Sequence, residues 1–461
     1  MAWDFETEPE FAEQLEWIDT FVREHVEPID LLISDPWDTR DPLRNDLIRP
    51  LQDEVKKRGL WACHLGPELG GQGFGQVRLG LMNEHIGRSL AAPVVFGAQA
   101  PDSGNAEILA HFGTEEQKRT YLEPLLDGRI VSCFSMTEPQ GGADPDVFTT
   151  TGVLEGDEWV INGEKWYSSN AAPAAFFIVM AVTDPDARQY RRHSMFVVPA
   201  ETPGVEIVRN TDGHHAYLRY SDVRVPADHL LGGRGDAFVV AQTRLGGGRV
   251  HHAMRTVGLV RHCFDLMCRR AVSRTTKGEP LAEKQLVQAA VAESWTQIES
   301  FRLLVLRTAW KIDRYHDYKR VSGEISAIKA MMPRVLHDVA SRALQIHGSI
   351  GTSEEMPFLG YLKDSYLMGL ADGPTEVHLT NLARALLRDV EPDSEVFPDY
   401  HVPRLRARAE ELYGDILAKH GKRQPSLPVL VRLGQAQCVL GDVVQDHLAR
   451  DRHGLEQAGQ V

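Results

Sequence analysis

The spacing of apolar residues changes twice along this chain of 461 residues, and those changes limit what it can fold into. From Pro9 to about Gly128 apolar positions recur at helical intervals, as in Phe11, Leu15, Ile18, Phe21 and Val22. From Ile130 to about Val240 short strand-like runs take over, at 131–136, 149–154, 159–161, 176–183, 195–199, 204–208 and 218–225, with Gly, Asp, Asn and Pro between them. After Gly246-Gly-Gly248 the helical period returns. One stripe holds Val257, Val260, Phe264, Met267 and Ala271, and a second runs from Leu286 to Ile312. The third runs from Ile325 to Ile346, with Pro333 expected to kink it, and a fourth helix is expected from 375 to about 388. The pattern predicts an α+β chain, mainly α. A helical N-terminal domain over 1–129 precedes a central β domain over 130–240, a C-terminal antiparallel four-helix bundle over 241–390 and a helical extension over 391–461.

Local signals refine this outline. The glycines of 64–75 are closely spaced, but no strand precedes them, so they read as turns needing positive φ rather than a phosphate loop. Thr114 and Gln117 form a predicted capping box. Glu155-Gly-Asp157 reads as a turn and Asn162-Gly163 as a hairpin candidate. Gly373, Pro374 and Glu376 read as the N-cap, N1 and N3 positions of the last bundle helix. Asp372 then stands just outside a helix start, either complementing the helix dipole or serving as a base held by a strained turn.

Charge and cysteine usage narrow the function classes. Lys plus Arg number 50 against 65 Asp plus Glu, a net charge of -15, which argues against binding nucleic acid or an anionic membrane surface. Cys63, Cys133, Cys263, Cys268 and Cys438 form no CxxC pair, so a reduced compartment and no metal site are expected. No apolar run reaches the length of about 18 residues needed for a spanning helix, so no membrane insertion and a cytoplasmic location are expected.

Two segments of the β region carry polar and aromatic chemistry. Phe134-Ser-Met-Thr-Glu-Pro-Gln-Gly-Gly-Ala-Asp144 is a strand ending in a Gly-rich turn, suited to hold the edge of a flat cofactor with backbone N–H groups and the Thr137 hydroxyl. In Gly163-Glu-Lys-Trp-Tyr-Ser-Ser-Asn170, strand alternation puts Trp166 and Ser168 on one face, one to cover a ring and one to hydrogen-bond its edge.

Together these segments resemble the FAD-dependent acyl-CoA dehydrogenases over about residues 8–390. The resemblance implies FAD contacts from Phe134, Met136, Thr137, Trp166 and Ser168, with Ser168 where Thr is usual, and places Ala143 near coenzyme A where Ser is usual. It also implies that Arg274, Thr276, Gln345 and Gly348 reach the FAD of a neighbouring subunit, with Lys277 and Ser349 departing from the usual Phe and Gly. A homodimer or dimer of dimers follows, with an acyl-CoA substrate and an electron-transferring flavoprotein as partner. Asp372 falls at the catalytic base, where Glu is usual, with Arg249 as a second catalytic residue and Glu376 among the cofactor contacts. Gly248, before Arg249, leaves no rival carboxylate.

Ala-Asp-Gly-Pro-x-Glu-Val-His and Arg244-Leu-Gly-Gly-Gly-Arg-Val-His-His-Ala-Met-Arg255 resemble one branch, linked to 4-hydroxyacyl-CoAs through phosphorylated intermediates as well as to ordinary acyl-CoAs. His251, His252, Arg255 and Gly373 are the substrate-side candidates, the first three for an extra anion. The expected reaction is α,β-dehydrogenation of an acyl-CoA thioester to a trans-2-enoyl-CoA. A same-fold oxidase or monooxygenase is the nearest enzymatic alternative, and a non-catalytic assembly subunit is the alternative of another class.

Overall fold

The computed structural model describes residues 6–69, 71–211, 214–392 and 401–421, in two units, Met1–Asp389 and Val390–Val461. The first unit has a helical N-terminal part, a central curled sheet and a helical C-terminal part. Helix α1 (Pro9–Phe21) buries Phe11, Ile18 and Phe21, the stripe its spacing predicts. Helix α2 (Pro42–Lys57) is capped by the Asp41 carboxylate, which accepts from Leu43 N at 2.9 Å. In the Gly-rich loop, Gly73 (φ 68°) and Gly75 (φ 78°) take the expected positive φ. Helix α3 (Gly75–Ile86) then starts against a carboxylate from the distant bundle, since Asp313 accepts from Gln76 N at 2.6 Å and Val77 N at 2.9 Å. Helix α4 (Asp102–Phe112) leads toward the Thr114–Gln117 capping box, which is present.

Seven strands follow: β1 (Ser132–Ser135), β2 (Thr151–Glu155), β3 (Glu158–Ser169), β4 (Phe176–Val182), β5 (His193–Pro199), β6 (Val205–Asn210) and β7 (His215–Pro226). The sheet order is β1-β4-β2-β3-β7-β6, with β5 paired to β4. Gly156-Asp157 turns β2 into β3, as expected. Asn162-Gly163 is no hairpin. It lies inside β3 at a register shift, with Gly163 at φ 147°, where a Cβ would come within 2.5 Å of Thr150 Oγ1. The dipeptide therefore marks a bulge that brings two backbones together.

The C-terminal part comprises α5 (Ala237–Ser273), α6 (Gln285–Tyr315), α7 (Ser322–His347), α8 (Phe358–Leu370) and α9 (Thr375–Leu387). Helix α7 continues unbroken through Pro333. The glycine triplet 246–248, after which the helical period was expected to return, lies inside α5. Its glycines are tolerated because other groups approach the helix there: a Cβ would lie 3.5 Å from Tyr318 at Gly246, 3.1 Å from Glu107 Oε2 at Gly247 and 3.3 Å from Asp372 Oδ2 at Gly248. One core spans the N-terminal helices and the bundle, from Phe11 and Ile48 to Val257, Phe301 and Phe358. Burial of about 25 cal/mol per Å² of apolar surface thus fixes α3 and α5 against each other, and the site lies at one end of that contact.

In the second unit the described residues form α10 (His401–Lys419), within the expected helical extension. The expected break at 421–428 lies outside the described residues from 422 on, as does Cys438. Among the described residues no helix is long and apolar enough to cross a membrane, and no cluster of three or more potential metal ligands occurs.

Candidate active site

The turn between α8 and α9 holds Asp372 in an unusual conformation. Asp372 takes φ 54° and Gly373 φ 103°. Such a backbone is sparsely populated for a residue with a side chain and persists only where its surroundings fix it. Arg249 Nε, from α5, donates to the Asp372 carbonyl at 2.9 Å, and His378 Nε2, from α9, lies 3.2 Å from the same oxygen. A carbonyl only accepts, so His378 carries its proton at Nε2. A Cβ at position 373 would fall 2.9 Å from that nitrogen, which leaves Gly as the residue that fits. The N-cap is Pro374, not Gly373, and Glu376 sits at the second helical position, not the third. The cap moves because Gly373 is spent on the reversal, while Pro374 stays extended at ψ 152° and its carbonyl accepts from Val377 N and His378 N.

The carboxylate of Asp372 faces α5. Its Oδ2 lies 3.5 Å from His252 Nε2, and both side chains retain 17% exposure, enough for a ligand to reach them. Burial raises the Asp372 carboxyl. Contact with the His252 ring and the Arg244, Arg249 and Lys329 cations more than offset this and hold it below the ordinary carboxylate range. Burial pushes His252 down to about 3, and Lys329, which donates to the Met368 carbonyl, down to about 8. The pair is therefore an ionised Asp372 against a neutral imidazole.

His251 turns away from Asp372, with Nε2 3.2 Å from Gln76 Oε1 and its ring edge-on to His64. Arg255 donates to the Ala98 carbonyl at 3.3 Å and to His252 Nδ1 at 3.1 Å. Of the expected anion-binding trio, His252 and Arg255 thus touch each other, while His251 points elsewhere, toward Gln76.

The strand segment forms a second wall. Phe134, Met136, Thr137 and Trp166 are half-buried, and the Arg244 guanidinium lies 4.0 Å over the Phe134 ring. Arg244 Nε donates to Asn105 Oδ1 at 3.1 Å. The Thr137–Gly141 turn is pinned from below by Glu138, which accepts from Lys165 Nζ at 2.8 Å, Thr149 N at 2.6 Å and Thr150 N at 2.9 Å. Trp166 N donates to Thr137 O at 3.0 Å.

The alternation expected to place Trp166 and Ser168 on one face fails. β3 shifts register between Lys165 and Ser168, and Tyr167 takes φ 50°. Ser168 is fully buried with Oγ 3.2 Å from Ser135 Oγ, which also accepts from Tyr220 Oη at 2.8 Å. Open donors at this wall are instead the turn backbone and Thr137. A Cβ at Gly142 would meet only Thr137 Cγ2 at 3.8 Å, so a flat cofactor edge can approach the backbone there. The half-open aromatic wall and unobstructed turn fit an isoalloxazine ring.

The remaining predicted residues lie on the surface of this chain. Arg274, Thr276, Gln345 and Gly348 are exposed, as are Ala143 and Glu376. Arg270 Nη2 donates to His347 O at 3.3 Å, so the end of α5 that leads to Arg274 meets the end of α7 that leads to Gly348. Nothing lies within 4 Å of a Cβ at Gly348 or Gly278. Sequence reasoning assigned no role to Arg244, Lys329 or His378. Lys329 had a readable signal, a charged residue inside the apolar stripe of Ile325, Ile328 and Met332.

Comparison with known proteins agrees with this architecture. Models of the acyl-CoA dehydrogenase N-terminal, middle and C-terminal domains match residues 8–129, 133–223 and 235–387. The Mycobacterium tuberculosis (strain ATCC 25618 / H37Rv) protein named "Probable acyl-CoA dehydrogenase FadE2" is 43% identical over 352 residues, covering 74% of this chain and 86% of that protein. Acyl-CoA dehydrogenase family member 11 of Gallus gallus is 37% identical over 387 residues, 80% of this chain, but this chain spans only 49% of that relative. Butyryl-CoA dehydrogenase from Megasphaera elsdenii superposes with a TM-score of 0.70 at 25% identity, covering 84% of this chain and 100% of the other. Three consecutive domain matches spanning most of the chain, on the fold shared with butyryl-CoA dehydrogenase, make it a member of the FAD-dependent acyl-CoA dehydrogenase family.

Proposed function

We propose that the protein dehydrogenates an acyl-CoA thioester between its α and β carbons, giving a trans-2-enoyl-CoA, with Asp372 as general base. The observation that carries this is the Asp372 turn. Two donors on different helices hold its carbonyl, the Arg244, Arg249 and Lys329 cations keep its carboxylate ionised, and Gly248 leaves the facing helix without a side chain. A base must be ionised and within hydrogen-bond reach of the proton it takes. Asp is one methylene shorter than Glu, and the left-handed turn is how the backbone brings it forward. Bound FAD would accept the β-hydrogen with its electron pair. Phe134, Met136, Thr137 and Trp166 would hold the isoalloxazine ring. As the α C–H bond breaks, Asp372 gains the proton and the freed pair enters the developing double bond.

The exposure of Arg274, Thr276, Gln345 and Gly348 supports their use by the FAD of a second subunit, hence at least a homodimer. The electrons then leave to an electron-transferring flavoprotein. The domain limits proposed are 129/130, 240/241 and 390/391.

The test is anaerobic flavin bleaching with a panel of acyl-CoAs, 4-phosphoacyl-CoAs included. Asp372→Asn is expected to stay yellow and fail to bleach, and full bleaching by that variant would sink the assignment. Absence of bleaching by 4-phosphoacyl-CoA in the native enzyme would remove an anion role for His251, His252 and Arg255.

A further inference from the structure

We propose that His252 is a positioning residue for Asp372, held by Arg255 in the one neutral tautomer that presents an N–H to the carboxylate. The proposal rests on Asp372 being the base.

Gly248, His252 and Arg255 stand on one face of α5, spaced by four and three residues. The tautomer follows from donor chemistry. A guanidinium has donors and no acceptor, so at the 3.1 Å contact between Arg255 Nη2 and His252 Nδ1 the imidazole nitrogen must accept. A neutral ring accepting at Nδ1 carries its proton at Nε2, and Nε2 is the atom 3.5 Å from Asp372 Oδ2. That separation is a few tenths of an ångström beyond a full N–H···O bond, as catalytic hydrogen bonds often are before substrate closes the site. Arg255 is itself tied to the N-terminal domain through the Ala98 carbonyl, so the ring orientation is set from outside the bundle.

The same contact stops His252 from competing as a base. A proton at Nδ1 would set two donors against each other and place a second positive charge beside Arg255. The charged and titratable groups facing the pair are Arg244, Arg249 and Arg255 from α5, Lys329 from α7 and His378 from α9, while His251, next to His252 in α5, turns toward Gln76. Among them the cations oppose an imidazolium and favour the Asp372 carboxylate. The α-proton therefore ends on Asp372 and is not passed to His252. What the ring supplies is direction: a short carboxylate beside the gap left by Gly248 has room to rotate, and one N–H on Oδ2 limits that rotation.

Two small polar substitutions separate the two bonds of the ring. In His252→Asn the amide oxygen can occupy the Nδ1 position and keep Arg255, but nothing reaches Asp372. In His252→Gln the longer side chain returns an N–H to the carboxylate. Flavin reduction by butyryl-CoA is followed in anaerobic stopped flow across pH on FAD-loaded enzyme, with Asp372→Asn alongside. The expected result for Asn is a limiting rate about tenfold lower, the size of one lost charge-assisted hydrogen bond, with little change in the butyryl-CoA concentration at half-saturation. Its acidic limb should move to higher pH, because the donor that favoured the ionised carboxylate is gone. Gln should recover most of the rate and return the limb. Equal profiles for Asn, Gln and native enzyme, or a loss confined to half-saturation, overturn the role of His252 and leave the base assignment intact. Bleaching by Asp372→Asn at the native rate instead removes the base assignment, and this proposal with it.

Discussion

Lys165→Met tests whether the proposed cofactor wall depends on a buried ion pair beneath it. Lys165 and Glu138 have side-chain exposures of 0% and 1%, with 2.8 Å between Nζ and Oε1. Lys165 also donates to the Met136 carbonyl at 2.8 Å and lies 4.7 Å over the Phe148 ring. The carboxylate is the better satisfied partner, since it also accepts from Thr149 and Thr150, whereas burial pushes Lys165 down to about 8. Methionine fills the space but leaves a buried carboxylate without its cation. Such an uncompensated charge costs about 3–5 kcal/mol. The double variant Glu138→Gln, Lys165→Met removes both charges and should recover part of that loss: Thr149 N and Thr150 N donate to different oxygens of Glu138, so the amide oxygen keeps one of them while its NH2 faces the other.

Urea unfolding followed by tryptophan fluorescence measures the cost, and the ratio of flavin to protein absorbance reports the Met136–Glu138 wall. The single variant should unfold at lower urea and purify with less FAD, and the double variant should regain part of the lost stability. Linkage gives a further check. Burial raises the Glu138 carboxyl, but Lys165 and the Thr149 and Thr150 donors bring it to about 2, against an ordinary 4.5. Its stabilisation is fully present above about pH 4.5 and is lost as pH falls toward about 2, a dependence that Glu138→Gln should remove. A Lys165→Met midpoint equal to the native one would refute the reasoning.

Two further outcomes follow from the site. Gly248→Ala puts a Cβ 3.3 Å from Asp372 Oδ2, tight enough to displace a carboxylate by a few tenths of an ångström. Bleaching should slow by about tenfold with FAD content unchanged, since misplacement of a reacting group is costly in rate; an unaltered rate would show that the turn absorbs the strain. In native enzyme the limiting reduction rate should be flat from about pH 5 upward with respect to Asp372, whose carboxyl is held below its ordinary value, and should fall only in more acid solution. An acidic limb near neutrality, absent in Asp372→Glu, would contradict that electrostatic picture.

The parts of the site legible in sequence were those encoded by consecutive residues. Asp372-Gly373-Pro374 announced a break before a helix, and the turn is there, one residue out of phase because Gly373 is needed for a φ of 103°. Phe134–Thr137 were readable as a strand running into a turn, and they line the half-open wall. Failures came where a long-range contact overrode a local rule. Alternation along β3 breaks at Tyr167, which carried no breaker signal, and Ser168 turns inward to Ser135 and Tyr220. The glycine triplet looked like a helix boundary because glycine is poor in helices. It lies within α5, where Glu107 Oε2 and Asp372 Oδ2 approach the positions a Cβ would take at Gly247 and Gly248 to 3.1 and 3.3 Å, contacts from distant elements that no local rule anticipates.

Periodicity and turn chemistry by themselves determined the three-part order of helix, sheet and helix, because the periods of 3.6 and 2 are properties of local backbone geometry. The motifs carried the family resemblance and singled out Asp372. Only the tertiary structure decided what surrounds that carboxylate. Arg249 and His378 on its carbonyl, His252 on its oxygen and Lys329 nearby come from three helices, with Arg249 and His378 129 residues apart in the chain. Coulombic and hydrogen-bond terms depend on distance in space, and no local pattern in the chain records which helices will meet.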